Sequence, residues 1–158
     1  MGLDAVELII DIEETFGISI PDGAAAKMQT PSDLIHYIQK ATHSSPLRRP
    51  CISLRAFHRV RSALRKTTKI GTSKISLNTK TKHLFPSSTR HRFWSPFRYS
   101  TVSNLVFHEI RKQATILTLH QNWTQQEVRQ VTRMIITHHT NQRHFADTDQ
   151  LVQDLGLD

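Results

Sequence analysis

Charge is distributed along this 158-residue chain in a way that decides where a core can form. Residues 1–40 hold seven acids and two bases, residues 41–118 one acid and sixteen bases, and residues 119–158 five acids and three bases. The three stretches therefore carry −5, +15 and −2. A segment so short of acids cannot neutralise itself from within. The same middle carries four of the six prolines and a dense Ser/Thr/Lys/Arg background, so it reads as an extended or partly irregular connection between two better patterned ends. The net +8 of the whole chain is a property of that middle.

A chain of this length buries one core or two small ones. A single cysteine, Cys51, rules out an intrachain disulfide and a thiolate zinc cluster, which suits a reducing compartment. The acidic amphipathic start has no basic n-region followed by an apolar run, so no secretory signal is read there. "LVFHEIRKQATILTL" is broken by Glu109, Arg111 and Lys112, so it is not read as a membrane span. A soluble, cytoplasmic protein is the expectation.

The N-terminal end is patterned as helix. Over residues 3–16, Leu3, Val6 and Ile10 are expected to face a core, flanked by Ala5, Ile9, Ile12 and Phe16, and Asp4, Glu7, Asp11 and Glu14 are expected on the opposite side as one acidic ridge. Gly17 stands where the helix should end, and "ISIPDG" supplies an extended piece and a turn. A second helix start is written in Thr30 as cap, Pro31 at the first helical position and Asp33 three residues after the cap, with Leu34, Ile35 and Ile38 as the apolar face.

These parts, in this order, carry a resemblance. Leu-Asp-x-Val-Glu-Leu at residues 3–8, Glu-Glu-x-Phe-Gly at 13–17, Ile-Pro-Asp at 20–22 and Thr-x-x-Asp at 30–33 resemble the second half of an acyl carrier protein, over roughly 38 residues. Such carriers attach 4′-phosphopantetheine to a serine in an Asp-Ser-Leu motif at the start of the second helix. Met1 takes the aspartate's place here and Gly2 the serine's. Glycine offers no oxygen to esterify, so no cofactor is expected. The resemblance implies that Asp4, Glu7, Asp11 and Glu14 form a docking face for a protein partner with a basic surface; a plain solvated helix face is the alternative.

The far end supplies what the first lacks. "NWTQQEVRQVTRMIITHH" opens on a Thr124/Glu127 capping box and continues as an amphipathic helix. "FADTDQLVQDLGLD" then resembles the long loop after a carrier's first helix, with Phe145, or Leu151 and Val152, as candidate core anchors. The expected organisation is an all-α, small helical bundle of acyl-carrier type. Residues 1–42 would give helices two to four, 43–118 a basic connection, and 119–158 helix one and its loop. Two arrangements are open: the ends close within one chain, as a circular permutation, or between chains, as a swapped homodimer.

In the middle, Leu54, Phe57, Val60 and Leu64 form the apolar stripe of a basic amphipathic helix near residues 53–66. Bases then alternate with aromatics in "RHRFWSPFRY". Arg55, Arg59, Arg65, Arg90, Arg92 and Trp94 therefore make an alternative site for nucleic acid, an anionic membrane surface, or an acidic protein surface including the chain's own acidic ridge. "ISLNT" and "LFP" after that helix also faintly resemble the opening of a second, degenerate carrier domain. Catalysis finds no support: there is no glycine-rich phosphate loop and no serine nucleophile elbow. His138 and His139 diverge by about 100° on a helix and, with His144, match no zinc pattern, so no metal is expected.

Overall fold

The computed structural model describes residues 2–47, 49–68, 70–85, 100–112 and 122–157. Among these residues the regular structure is helical: α1 (Leu3–Phe16), α2 (Asp22–Ala25), α3 (Pro31–Ala41), α4 (Ile52–Thr68), α5 (Val102–Lys112) and α6 (Gln125–Thr140), with single 3₁₀ turns at Thr72–Lys74 and Thr81–His83. Extended pairing among them is confined to isolated bridges, Ser45 with Thr124 and Lys80 with Thr101. The chain divides into two compact units: Met1–Arg49 with Ala114–Asp158, and Pro50–Gln113. Both ends of the chain therefore belong to one unit.

In that first unit α6 packs on both α1 and α3. Its start is fixed by a complete capping box, in which the Thr124 hydroxyl accepts from the Glu127 amide and the Glu127 carboxylate accepts from the Thr124 amide. Val128, Val131, Ile135 and Ile136 then fall on one face and are buried. The start of α3 is fixed in the same way by Thr30 and Asp33, with Pro31 in the first turn. Backbone bonds tie the ends together: Ser45 N–H to Trp123 O, Gln125 N–H to Ser45 O, Ser32 N–H to Asp147 O and Leu151 N–H to Gln29 O. Of the expected loop anchors Leu151 is buried, Phe145 is half-buried beneath the Arg133 guanidinium at 4.1 Å, and Val152 is exposed; Leu155 and Leu157 are the further buried residues of that loop.

Helix α1 is turned differently from the expectation. Ala5, Leu8, Ile12, Thr15 and Phe16 are buried, while Leu3, Val6 and Ile10 are 74%, 39% and 47% exposed. The reason is visible one turn further along. Continuing the Leu3, Val6, Ile10 stripe leads to Glu13 and Glu14, whereas continuing Ala5, Leu8, Ile12 leads to Thr15 and Phe16, and the Phe16 ring lies 4.7 Å from that of Trp123. Only the second stripe stays apolar to the end of the helix, so only that one can be covered along its whole length.

The second unit contains more order than the one helix expected of the middle. Val102, Val106 and Ile110, at steps of four, form the buried face of α5, which packs on α4. On α4 the buried residues are Ile52, Ala56, Val60 and Leu64. Of the expected stripe, Val60 and Leu64 are thus inside, Phe57 is half-buried and Leu54 is 50% exposed. A strict four-residue step with alanine in the middle presents a flat strip to α5; Leu54 and Phe57 lie off that strip. Thr81 N–H to Ser100 O, Val102 N–H to Thr79 O and Ser103 N–H to Leu77 O join the intervening loop to the start of α5, and Arg59 is ion-paired with Glu109 across the two helices.

Candidate functional site

The turn of α1 that buries Leu8 and Ile12 delivers a specific outer surface. Leu3, Glu7, Ile10 and Glu14 are all exposed and follow one another at steps of four, three and four, so they share one face, with Asp4 and Val6 on its two sides. The acids are therefore not opposite the first apolar stripe, as expected; they are interleaved with it. Such a surface combines exposed apolar side chains with exposed carboxylates on one helix face.

The four acids expected to act as one ridge are not equivalent. Asp4, Glu7 and Glu14 are exposed, whereas the Asp11 carboxylate is drawn down to α6, where its Oδ2 lies 2.9 Å from His139 Nε2. Both side chains of that pair are largely covered, so Asp11 is a tie between the two helices. The neighbouring Glu13 carboxylate is also turned inward and accepts the Ile20 amide proton, which holds the chain leaving α1. Gly17 closes the helix at φ +66°, with its amide donating to Glu13 O at 2.8 Å.

Gly2 precedes this surface as the residue that caps α1. Its backbone is extended, at φ −75° and ψ −179°, its carbonyl accepts from Val6 N–H, and it has no side chain with which to cap or to carry a group. At the other end of the sequence, Gly156 takes φ +70° between buried Leu155 and Leu157. That left-handed turn is what lets two leucines so close in sequence both reach the interior.

The residues of the alternative basic site are scattered by comparison. Arg55 is half-buried, Arg59 is committed to Glu109, and Arg65 is exposed on α4; Arg90, Arg92 and Trp94 lie outside the described residues. Of the three histidines of the far end, His138 and His139 meet edge to face with ring centres 5.7 Å apart, His139 holds Asp11, and His144 is exposed. Among the described residues no group of three or more His, Cys, Asp or Glu side chains is placed to hold a metal, and no helix is long and apolar enough to cross a membrane.

The Asp33 carboxyl is held below the usual aspartate range, chiefly by the hydrogen bond from the Thr30 hydroxyl and further by the Thr30 and Gln29 amides, against a smaller opposing effect of burial. It serves the start of α3.

Comparison with known proteins gives a partial match. Over 38 residues, 24% of this chain, the sequence is 49% identical to an acyl carrier protein of Lactobacillus johnsonii. The match spans 48% of that relative, so the chain covers about half the length of the curated relative it matches. No protein-family model matches, and no solved structure matches. The chain is thus acyl-carrier-like over part of its length, and similar in that part to a carrier protein rather than to an enzyme.

Proposed function

We propose that this chain is a noncatalytic, acyl-carrier-like interaction module that bears no phosphopantetheine arm and docks protein partners through the exposed face of α1. The observation that carries the reading is a single one. A helix presenting Leu3, Val6 and Ile10 among Asp4, Glu7 and Glu14 is preceded by glycine at the position where the resemblance requires serine. A carrier's recognition surface is kept and its point of attachment is not.

The order of parts supports a permuted carrier. Helix α6 and the loop through Leu157 take the role of a carrier's first helix and long loop, while α1 to α3 take that of its second half. The packing of α6 on α1 and α3 within one unit is what that reading requires of a chain closing on itself. Partners would present a basic surface, since three exposed carboxylates repel an acidic one and attract the approach of a cationic one. A cytoplasmic location goes with this reading.

The test uses the full chain with a phosphopantetheinyl transferase and coenzyme A. Intact mass spectrometry should show no added group on the natural chain, and titration calorimetry should still detect the transferase. Glu7→Lys/Glu14→Lys should weaken that binding by about tenfold or more, the scale set by placing two like charges in a contact. A phosphopantetheine adduct on the natural chain would overturn the unarmed reading. Binding indifferent to the charge reversal would overturn the docking face.

A further inference from the structure

We propose that α1 of one copy docks on α4 of a second copy, making this protein its own partner. The inference rests on the reading of α1 as a docking face and names what that face receives.

Both halves of the contact are present in the chain. On α1 the exposed stripe is Leu3, Glu7, Ile10, Glu14. On α4, away from the strip that packs on α5, Leu54, His58, Arg61 and Arg65 follow the same steps of four, three and four. Leu54 is 50% exposed, and His58 and Arg65 are exposed. Arg61 is half-buried, its guanidinium 5.1 Å from the centre of the Phe57 ring and its Nη2 3.0 Å from His58 Nδ1. The Phe57 ring thus holds a planar cation in place, lowering the ordering cost of using it in a contact. Laid side by side in parallel, the two stripes set Leu3 on Leu54, Glu7 on His58, Ile10 on the aliphatic stem of Arg61, and Glu14 on Arg65, with the Arg61 guanidinium between the two carboxylates.

The charges of the two units demand such a partner. Residues 1–49 with 114–158 hold twelve acids and seven bases, a net −5, and residues 50–113 hold fourteen bases and one acid, a net +13. The one acid of the second unit, Glu109, is already paired with Arg59. Arg61 and Arg65 therefore look outside their unit for a carboxylate, and α1 carries exposed ones. The apolar members decide against a phosphate backbone as the occupant. Leu54 gains only from a partner with apolar surface to cover it, which Leu3 and Ile10 offer and a row of phosphates does not. Two such contacts related by a two-fold axis close a dimer, and a single one repeated builds an open chain.

Sedimentation of the full chain tests this. At about 50 mM salt and a concentration on the order of 100 µM, the weight-average mass should be about twice the monomer's or more. It should fall to the monomer's near 500 mM salt, where screening acts within a few ångströms. Glu7→Lys/Glu14→Lys and Arg61→Glu/Arg65→Glu should each be monomeric. Mixing the two variants should restore assembly, because each then offers the charge that the other lacks; that restoration also shows that both are folded. A natural chain that stays monomeric at low salt would overturn the proposal, as would variants whose mixture stays monomeric. A raised mass that nuclease abolishes would overturn it in favour of nucleic acid on α4. If the natural chain is monomeric while transferase binding still depends on Glu7 and Glu14, the second copy is excluded and the docking face stands. If transferase binding ignores those residues, the docking face itself has failed.

Discussion

The buried ion pair at the start of α6 is the contact on which the first unit's two halves should depend most. Glu127 is 2% exposed, and its Oε2 lies 2.9 Å from the Thr124 amide and 3.1 Å from Arg49 Nη2. Arg49 also donates to the Asn122 carbonyl, so one guanidinium ties the chain after α3 to the chain before α6. At 3.1 Å the gross attraction is about 5 kcal/mol for an effective dielectric of 20. Desolvation of two ions offsets most of that, so the net worth of the intact pair is small, yet breaking it from one side strands the other charge. Arg49→Met takes the guanidinium away from the buried Glu127 carboxylate and should cost about 3 kcal/mol. Glu127→Gln keeps the bond to that amide and leaves Arg49 more exposed than its partner, at 14% against 3%, with the Asn122 carbonyl still available; it should cost about 2 kcal/mol.

The double variant should cost about 3 kcal/mol, giving a coupling of about 2 kcal/mol. Urea unfolding followed by tryptophan fluorescence in a Trp94→Phe background reads this locally, because Trp123 adjoins the box and its ring stacks at a tilt on Phe16. With a slope of about 1.5 kcal/mol/M, Arg49→Met should lower the midpoint by roughly 2 M. A coupling below about 0.5 kcal/mol would refute the reasoning, since it would mean that the two charges are solvated independently and that neither end of the chain depends on the pair.

Two other outcomes follow from burial and from the capping chemistry. Leu8→Ala should cost about 2–5 kcal/mol in the same unfolding experiment and Val6→Ala no more than about 0.5 kcal/mol; the reverse ranking would mean that α1 is turned the other way. Because the Asp33 pKa is lowered in the folded chain, its contribution is fully present above the unfolded value near pH 4 and is lost as pH falls through the folded value. The urea midpoint of the natural chain should therefore exceed that of Asp33→Asn at pH 5 and converge toward it in stronger acid; a gap independent of pH would show that the carboxylate's charge plays no part.

What could be read from sequence differs by the range of the cause. The starts of α3 and α6 were legible because a capping box is complete within four residues: Thr30 with Asp33, and Thr124 with Glu127. Helix α4 was legible as a helix but not as to its face. Its apolar residues permit both a Leu54, Phe57, Val60, Leu64 stripe and an Ile52, Ala56, Val60, Leu64 stripe, and the choice was made by α5, some forty residues away. Helix α5 carries a signal in Val102, Val106 and Ile110, but three apolar residues at steps of four inside a basic, Ser/Thr-rich stretch do not by themselves separate a helix from an irregular connection. The His139 to Asp11 pair left no local trace, since its members are separated by 128 positions.

The same reasoning bears on what α1 can do. Its apolar residues surround most of the helix, and the stripe that runs on to Phe16 is the one that a neighbour can cover along its whole length. Packing of α6 supplies that neighbour: Trp123 takes Phe16, His139 takes Asp11, and Leu8 and Ile12 are covered, which leaves Leu3, Val6 and Ile10 outside with Glu7 and Glu14. The face proposed for docking is thus set by the far end of the chain. A partner that binds Leu3 and Ile10 specifically reads whether residues 122–157 are in place, because in their absence Leu8 and Ile12 would compete for the same contact. Leu155→Ala, which opens the interior at the 3%-exposed anchor of the last loop, should accordingly weaken binding at α1 without touching it, through the fraction of molecules in which α6 and its loop are docked.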